Sequence, residues 1–468
     1  MTPDTLSPES GVIAIIGLVL AVAVLIFLVL RTKVHAIIAL VVAASIAGLA
    51  AGMTPEAAIA SITTGFGSTL ATIGLVVGFG VMMGKILETS GAAEKLALTL
   101  VRWLGRHREE WAMAVAGFIV SIPIFVDSAF VILQPLVKAL SRSTGRSLLT
   151  LGIALGGGLV LTHHAVPPTP GPLGAAGIFG VGIGEMILWG LVLTIPSLIA
   201  VTLYAKVMGP KIEAMIERDT GEVLTPKAAF DEFSALAEER MKTLPSLTVA
   251  MAPILMPIIL IFANTGISGL NTAMPETLPA WLVSTASFVG NPVIAVGLGL
   301  LLAIYGLTRG QKRGDTLAEM EKGVESAGII LLVTGAGGAL GAVLRDSGTG
   351  QLVGEWVAGL PLPAILIPFL IASFVRLVQG SGTVSIITAA SLSAPLLAEM
   401  PDVNLALAAQ AACLGAMVFS YFNDSLFWVV NRMLGVKNAK HQILTWSVPT
   451  TLAWAVALVA IIVADIFF

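Results

Sequence analysis

The chain has 468 residues, of which 56% are hydrophobic and 11% are charged, and its net charge is −3. Soluble domains carry roughly 25% charged residues, so the composition excludes an ordinary soluble protein and gives no basic surface for nucleic acid. The composition predicts an all-α polytopic membrane protein that is surrounded by membrane lipid. The single cysteine, Cys413, rules out an intramolecular disulfide and argues against a metal–thiolate site.

The first apolar run, from Val12 to Leu30, is interpreted as a membrane span rather than a cleaved signal. It is long, no basic segment precedes it, and Arg31 and Lys33 follow it directly. Similar runs continue to the C-terminus. At about 20 residues for each span, the chain has room for about ten crossings.

Basic residues cluster in a few connections, which the positive-inside rule assigns to the cytoplasm. These connections are 31–33, 102–108, 138–146, 206–242, 309–313 and 432–440. Connections with almost no Lys or Arg are predicted to lie outside, together with both termini. They are 52–61, 168–185, 265–280, 346–361 and 396–405.

Two apolar segments have like flanks on both sides and are therefore predicted to enter and return as re-entrant hairpins. The first covers about 111–137, has basic flanks, and turns near "SIPIFVDSAF". The second covers about 362–398, has neutral or acidic flanks, and turns near "VQGSGTVS". They should enter from opposite sides of the membrane.

The sequence also repeats itself. "GFGVMMGKILETSG" from Gly78 returns as "GAGGALGAVLRDSG" from Gly335, a shift of 257 residues, and Thr162 aligns with Ser420 at a shift of 258. The charge pattern orients the copies oppositely, as in secondary transporters with inverted repeats. We predict an N-terminal repeat over 1–208, a cytoplasmic amphipathic loop over 209–246, and an inverted repeat over 247–468.

Each repeat should contain a broken membrane helix, at 162–172 and at 420–425. The stretch "LTHHAVPPTPGPLG" has four prolines in fourteen residues and cannot form one continuous helix. Irregular backbone at membrane depth is tolerated only where protein or a water-filled cavity covers it. The two broken helices and the two hairpin turns, at 121–129 and 378–384, should therefore converge on one site.

An anionic substrate is the simplest expectation for that site. Helix N-termini that begin at breaks present free N–H groups and partial positive charge, and Arg376 is an intramembrane cation near one hairpin turn. The predicted substrate-binding residues are Ser128, Thr162, His163, His164, Thr169, Gly171, Arg376, Gln379, Gly380, Ser381, Gly382, Thr383, Asn423, Asp424 and Ser425.

Proton coupling needs a titratable group whose protonation burial can bring near neutral pH, and aspartate and histidine both qualify. The candidates are Asp127, His163 and Asp424, with Asp127 preferred. Asp424 could instead be held charged by Arg376, or could cap a half-helix. The histidine pair could simply bond backbone carbonyls freed by the prolines.

No cofactor is expected. The segment "HHAVPPTP" lacks a nearby carboxylate or cysteine that would complete a tetrahedral metal site. The glycine-rich stretches lack a following Lys-Ser/Thr and lie within spans, which argues against nucleotide binding.

The motifs resemble those of the gluconate permease (GntP) family of proton symporters, within the ion-transporter superfamily. They are "GFGVMMGKILETSGAAEKLA", "FVDSAFVILQPLV", "LTHHAVPPTPGP", "TGAGGALGAVLRDSGTG", "VRLVQGSGTVSIITAA" and "YFNDSLFWVV". The resemblance implies a homodimeric carrier of the bacterial inner membrane, with an elevator-like motion. It implies uptake of small hydroxylated carboxylates, such as gluconate and related sugar acids, or D-serine in some members, together with protons.

The chain departs from the family pattern at two places. Sugar-acid members tend to read Tyr-Glu-Val-Gly where this chain has residues 126–129, and a histidine where it has Thr169. Both departures favour a smaller or different acid.

The leading hypothesis is thus a proton-coupled symporter of a small organic anion, with Na⁺ coupling as the nearest alternative. A membrane-embedded enzyme would need a constellation such as Asp127, His163 and Asp424. The inverted repeat argues against that reading, because symmetry across the membrane serves alternating access. A channel is a third alternative, which saturable flux would exclude.

Overall fold

The computed structural model describes residues 8–104, 108–221, 223–224, 243–274, 278–350, 352, 363–400, 402–421 and 424–467. Every regular element in these ranges is a helix, which confirms the predicted all-α fold class.

Nine helices form the N-terminal part of the described chain. They are α1 (Pro8–Arg31), α2 (Ala36–Ala50), α3 (Pro55–Thr89), α4 (Ala92–Leu104), α5 (Glu109–Val120), α6 (Val126–Thr144), α7 (Leu148–Ala165), α8 (Pro170–Phe179) and α9 (Ile183–Thr220). The C-terminal part continues with α10 (Leu247–Ala273), α11 (Ala280–Val289), α12 (Pro292–Leu307), α13 (Arg313–Asp346), α14 (Leu366–Gln379), α15 (Gly382–Leu397), α16 (Leu405–Gly415), α17 (Ser425–Met433) and α18 (Ala439–Phe467), which includes a π-helical stretch, Ile443–Ser447.

Six helical segments in the described chain are long and apolar enough to cross a membrane, and the pair α11–α12, bent by 61°, would make a seventh. The sequence predicts about ten crossings. The difference arises because several apolar segments form shorter helices of 10–17 residues, α2 and α14 to α16 among them. Hydropathy alone does not distinguish a full span from half of a broken one.

The sequence repeat is also a structural repeat. Its two copies form the C-terminal parts of α3 and α13, which pack against each other. Ser90 and Ser347 end the two helices, and Gly91 and Gly348 follow with φ values of 77° and 71°. This left-handed conformation suits glycine, which has no Cβ to clash with the backbone.

Four interruptions separate consecutive helices: 121–125 between α5 and α6, 166–169 between α7 and α8, 380–381 between α14 and α15, and 416–424 between α16 and α17. The second interruption is shorter than the predicted break at 162–172. Val166 is extended, with φ −115° and ψ 116°, because it precedes a proline. The two histidines before it therefore belong to the last turn of α7.

The first residues of the segment 209–246, which the sequence predicts to be a loop, belong to helix α9. Helix α9 continues through Gly209 and ends at Thr220, and Gly221 follows with a φ of 71°. An amphipathic, charged helix end has the composition of a polar loop, so the boundary is not visible in composition alone. Residue 222 and residues 225–242 of this segment lie outside the described ranges.

Helix α7 lies at the centre of the fold and is buried along nearly its whole length. It packs against α5, α6 and α9. The approach to α5 depends on Gly158, since a Cβ there would overlap the Ala114 carbonyl oxygen. Small residues at such crossings let helix backbones come close together in membranes. This packing fixes where the two histidines of α7 point.

We expect the equivalent repeat positions Gly84 and Gly341 to differ in their tolerance of alanine. A Cβ on Gly84 would overlap the Pro123 carbonyl of the first interruption, whereas the nearest atoms to a Cβ on Gly341 lie 3.9 Å away. Gly84→Ala should lower the free energy of unfolding by about 1–3 kcal/mol through overpacking. Thermal unfolding of the detergent-solubilised protein measures this, with Gly341→Ala as the matched control. Equal melting temperatures for the two variants would contradict the expectation.

Candidate functional site

Three of the four helix interruptions, the first, third and fourth, meet at an open cavity of about 660 Å³, whereas the prolines of the second interruption lie outside its lining. Its lining residues come from the first and third interruptions, from the start of α17, from the end of α7, and from α3 and α13. The polar and glycine residues among them are Gly84, Lys85, Glu88, Asp127, Ser128, His163, His164, Lys322, Gly323, Arg376, Gly380, Ser381, Gly382, Thr383, Asp424 and Ser425.

A buried ion pair joins two of these interruptions. Arg376 Nη2 lies 2.5 Å from Asp424 Oδ2, and the two residues are 3% and 8% exposed. The other guanidinium nitrogen, Nη1, donates to the Gly380 carbonyl at the turn that follows α14. Because an unpaired charge at this depth would be costly, the pair and its hydrogen bonds hold the third and fourth interruptions together.

Asp424 makes further bonds beyond the ion pair. The Ser420 hydroxyl donates to Asp424 Oδ2, and Asp424 Oδ1 accepts from the Leu426 backbone N–H at 3.2 Å, which caps α17. Asp424 therefore makes both contacts that the sequence analysis considered as alternatives: it faces Arg376 and it caps a half-helix. Both carboxylate oxygens of Asp424 are therefore occupied by donors of the protein.

Asp127 lies in the first turn of α6, directly after the first interruption. Its Oδ2 accepts a hydrogen bond from the Ser425 hydroxyl at 3.2 Å, which connects the first interruption to α17. Its Oδ1 is buried and has no hydrogen-bond partner within the described part of the chain. Asp127 thus differs from Asp424 in keeping an oxygen available to a ligand or a proton.

His163 and His164 project from the last turn of α7, with ring centroids 5.7 Å apart. His164 Nδ1 lies 2.9 Å from the Val160 carbonyl oxygen, so this nitrogen donates and a neutral His164 leaves Nε2 as an acceptor. His163 Nδ1 and His164 Nε2 are both buried without a partner among the described residues. A Cβ at Gly382 would overlap the His164 ring, so this close approach requires glycine.

Three helices begin at the cavity: α6, α15 and α17. The Ser381 hydroxyl caps α15 by accepting from the Val384 N–H at 3.4 Å, and Asp424 caps α17. Other N–H groups of these first turns remain directed away from the helix bodies, and the helix dipoles place partial positive charge there. Such an arrangement favours a bound anion.

Lys85, Glu88 and Lys322 also line the cavity, and sequence reasoning missed them. Lys85 lies 2.8 Å from Glu88, and Lys322 lies 2.7 Å from Glu319 outside the lining. A usable signal was present, because Lys85 and Glu88 are charged residues inside the repeated glycine motif of an apolar helix. In the sequence analysis, that motif served only as evidence of the repeat and of the family resemblance.

Three predicted site residues do not line this cavity. The hydroxyl of Thr162 donates to the Phe118 carbonyl at 2.7 Å, and that of Thr169 donates to the Val166 carbonyl at 2.7 Å. Gly171 packs against α15. The two threonine hydroxyls thus satisfy backbone carbonyls instead of facing the cavity. The side chain of Gln379, and Asn423 as a whole, lie outside the part of the chain that the structure describes.

Breaking the ion pair should destabilise the fold strongly. We expect Asp424→Asn to lower the free energy of unfolding by about 3–5 kcal/mol, because Arg376 would keep a buried, uncompensated charge. Removing both charges, as in Arg376→Gln/Asp424→Asn, should cost less than the sum of the single changes.

Thermal unfolding of the purified variants measures both effects. The control is Arg345→Gln, which removes the exposed pair that Arg345 forms with Asp346 at 3.3 Å. Exposed pairs contribute about 0–1 kcal/mol. Additive losses in the double variant, or a control as unstable as Asp424→Asn, would refute the assigned role of the pair.

Several known permeases are similar to this chain along nearly its whole length. A permease of Haemophilus influenzae is 53% identical over 457 residues, which cover 97% of this chain and 93% of the relative. A gluconate permease of Pseudomonas aeruginosa is 34% identical, covering 100% and 99% of the two chains. An inner membrane permease of Escherichia coli, YgbN, is 32% identical, covering 92% and 94%.

A solved structure shares the fold. MtrF of Neisseria gonorrhoeae, an antimetabolite efflux pump, superposes with a TM-score of 0.60 at 14% identity, and the match covers 94% of this chain and 96% of that one. The likeness confirms the predicted transporter fold and carries no information on substrate.

Residues 13–467 also match the family described as GntP family permease. This match and the relatives confirm that the protein is a transporter rather than an enzyme, with several helices crossing the bacterial inner membrane. The chain belongs to the GntP family of permeases.

Proposed function

We propose that the protein is a proton-coupled symporter that carries a small hydroxylated carboxylate into the cytoplasm. One observation carries this proposal. Three buried polar atoms that line a single cavity, Asp127 Oδ1, His163 Nδ1 and His164 Nε2, have no hydrogen-bond partner within the described chain, and three helix N-termini begin beside them. Buried polar groups are normally paired, so these atoms indicate a ligand.

The helix N-termini and Arg376 account for the carboxylate group of the substrate. Arg376 already faces Asp424 and the Gly380 carbonyl, but a guanidinium has five donors and can serve a further acceptor. The first-turn N–H groups of α15 beside Thr383 add donors without adding charge. The hydroxyl groups of the substrate would then bond the two histidines and the Ser381 and Thr383 side chains.

The charges of the site support coupling to a proton. Arg376 pairs with Asp424, Lys85 with Glu88 and Lys322 with Glu319, so an ionised Asp127 would be the one carboxylate of the lining without a cation as its ion-pair partner in the described chain. Two like charges about 4 Å apart repel by about 4 kcal/mol at an effective dielectric constant near 20. Protonation of Asp127 removes this repulsion. Binding of the proton to Asp127 therefore raises the affinity for the anion, and binding of the anion raises the affinity for the proton.

Gluconate-like acids are the proposed substrate class. The P. aeruginosa relative is a gluconate permease and matches along the whole chain. The differences at residues 126–129 and at Thr169 favour an acid smaller than gluconate. The homodimer that the family resemblance implies is part of the same proposal.

The cavity is proposed to face the cytoplasm. Two lysines of its lining, half-buried Lys85 and exposed Lys322, lie in the C-terminal part of α3 and the N-terminal part of α13. The connection at the end of α4, 102–108, and the one before α13, 309–313, are assigned to the cytoplasm by their Lys and Arg content.

A second cavity of about 350 Å³ supports alternating access. Its lining includes Gly338, Gly341, Ala342 and Arg345 of α13. At the repeat shift of 257 these positions correspond to Val81, Gly84, Lys85 and Glu88, which line the first cavity. We propose that this cavity is the outward-side counterpart, toward which the substrate site moves in an elevator-like step.

Uptake into proteoliposomes under an imposed inward proton gradient tests the function. The panel is gluconate, glycerate, lactate, D-serine and citrate, each measured with and without Na⁺. We expect accumulation of one hydroxylated monocarboxylate without Na⁺, saturating with concentration. Accumulation driven by Na⁺ alone would show that the coupling ion is Na⁺ rather than H⁺. A flux that does not saturate would indicate a channel.

Asp127→Asn separates coupling from transport. The variant should lose concentrative, proton-driven uptake by at least tenfold, because the amide cannot gain or lose a proton, while exchange of labelled for unlabelled substrate continues. The control is Asp315→Asn, an exposed carboxylate in the first turn of α13, which should leave uptake unchanged. Full concentrative uptake by Asp127→Asn would remove Asp127 from the coupling mechanism.

A further inference from the structure

Ser420, in the fourth interruption, is bonded through every polar group that it has. Its N–H donates to Thr450 Oγ1 at 3.1 Å, and its carbonyl accepts from the Ser447 hydroxyl at 2.6 Å. Its hydroxyl oxygen accepts from Trp446 Nε1 at 2.9 Å and donates to Asp424. All the partners except Asp424 belong to α18, which was not among the predicted site elements.

The π-helical stretch Ile443–Ser447 presents these groups. Trp446 and Ser447 lie within it, and Thr450 follows on the same face. Trp446 and Ser447 are completely buried, and Thr450 is 2% exposed. π-helical insertions are rare and are found frequently at functional sites. None of these three residues lines the cavity, and the hydrogen bonds that connect them to Asp424 run through Ser420.

The direction of the hydrogen bonds follows from the chemistry of the groups. An indole N–H can only donate, so the Ser420 oxygen accepts from Trp446 and its own proton is free to be donated elsewhere. An ionised Asp424 can only accept hydrogen bonds. It accepts one from the Ser420 hydroxyl and one from the Arg376 guanidinium. The chain of bonds then ends at the Gly380 carbonyl.

We propose that Trp446, assisted by Ser447 and Thr450, is a positioning residue for the substrate site. Trp446 orients the Ser420 hydroxyl toward Asp424, and Asp424 in turn sets the place of Arg376 and of the turn at Gly380. This inference rests on the proposed function of the cavity as the substrate site. It adds a buried element, remote from the substrate, that sets affinity for the anion.

The other repeat has no corresponding arrangement within its described residues. Thr162 occupies the position equivalent to Ser420, and its hydroxyl donates to the Phe118 carbonyl rather than to a carboxylate. The positioning chain therefore belongs to the half that carries the ion pair. A packing requirement common to both repeats would not produce this difference.

The test compares two identical substitutions in α18. Trp446→Phe removes the donor to Ser420 and keeps an aromatic ring in place. Trp454→Phe is the matched control, because Trp454 Nε1 also donates to a serine hydroxyl, that of Ser373, at 2.8 Å. The Ser373 hydroxyl in turn donates to the Phe369 and Gly415 backbone carbonyls and not to a carboxylate. Uptake of the acid that the wild-type protein accumulates is measured for both.

We expect Trp446→Phe to raise the apparent KM by roughly three- to tenfold, the loss of about one net hydrogen bond, with Vmax within twofold of wild type. Trp454→Phe should keep the wild-type KM. Ser420→Ala should match Trp446→Phe, and the double variant should be no worse than either, because both remove the same chain of bonds. Additive effects on KM, or equal effects of the two tryptophan variants, would overturn the proposal.

A second readout needs no substrate. In a Cys413→Ala background, a cysteine at the exposed position 425, introduced as Ser425→Cys, reports the mobility of the turn next to Asp424. Trp446→Phe should speed its reaction with a thiol reagent several-fold, and Trp454→Phe should not. Equal rates would refute the positioning role. If the wild-type protein accumulates no acid, the proposed function fails and this labelling experiment alone decides the inference.

Discussion

The Arg376–Asp424 ion pair is the constraint on which the rest of the site depends. Removing two charges from water costs several kcal/mol per ion, and their attraction offsets this only when other hydrogen bonds satisfy them. A continuous membrane helix has few free backbone groups to offer. The structure supplies them at interruptions: the Gly380 carbonyl for Arg376, and the Leu426 N–H with the Ser420 hydroxyl for Asp424. The ion pair therefore needs the polar groups that the broken helices expose, and it holds two of the interruptions together in turn.

Broken helices in turn leave backbone groups that must be satisfied away from water. At the end of α7, the Gln410 side chain donates to the Ala165 carbonyl at 2.8 Å and to the Met186 carbonyl at 2.8 Å. Glycines then allow the interrupted segments to come together, as Gly84 does at the Pro123 carbonyl and Gly382 does at the His164 ring. The cavity is the space left where these close approaches end.

The two repeats share a backbone plan but differ in chemistry. The carboxylate of the C-terminal half, Asp424, has its oxygens occupied by Arg376, Ser420 and the start of α17. The carboxylate of the N-terminal half, Asp127, keeps one buried oxygen without a partner in the described chain. Protein donors already occupy the oxygens of Asp424, while the free oxygen of Asp127 can contact a ligand or a coupling ion. This division of roles supports the proposal of a single coupling group.

Much of this protein was determined by local properties of the sequence. Hydropathy set the membrane class, proline and glycine set where helices stop, and the spacing of glycines disclosed the repeat, because each of these effects acts within a few residues. Partners distant in sequence were decided by the tertiary structure alone. Asp424 meets Arg376 across 48 residues, and Asp127 meets Ser425 across 298. Such partners are determined by the rotation and packing of the helices. The same packing directs Thr162 to the Phe118 carbonyl instead of the cavity, and Trp446 to the Ser420 hydroxyl.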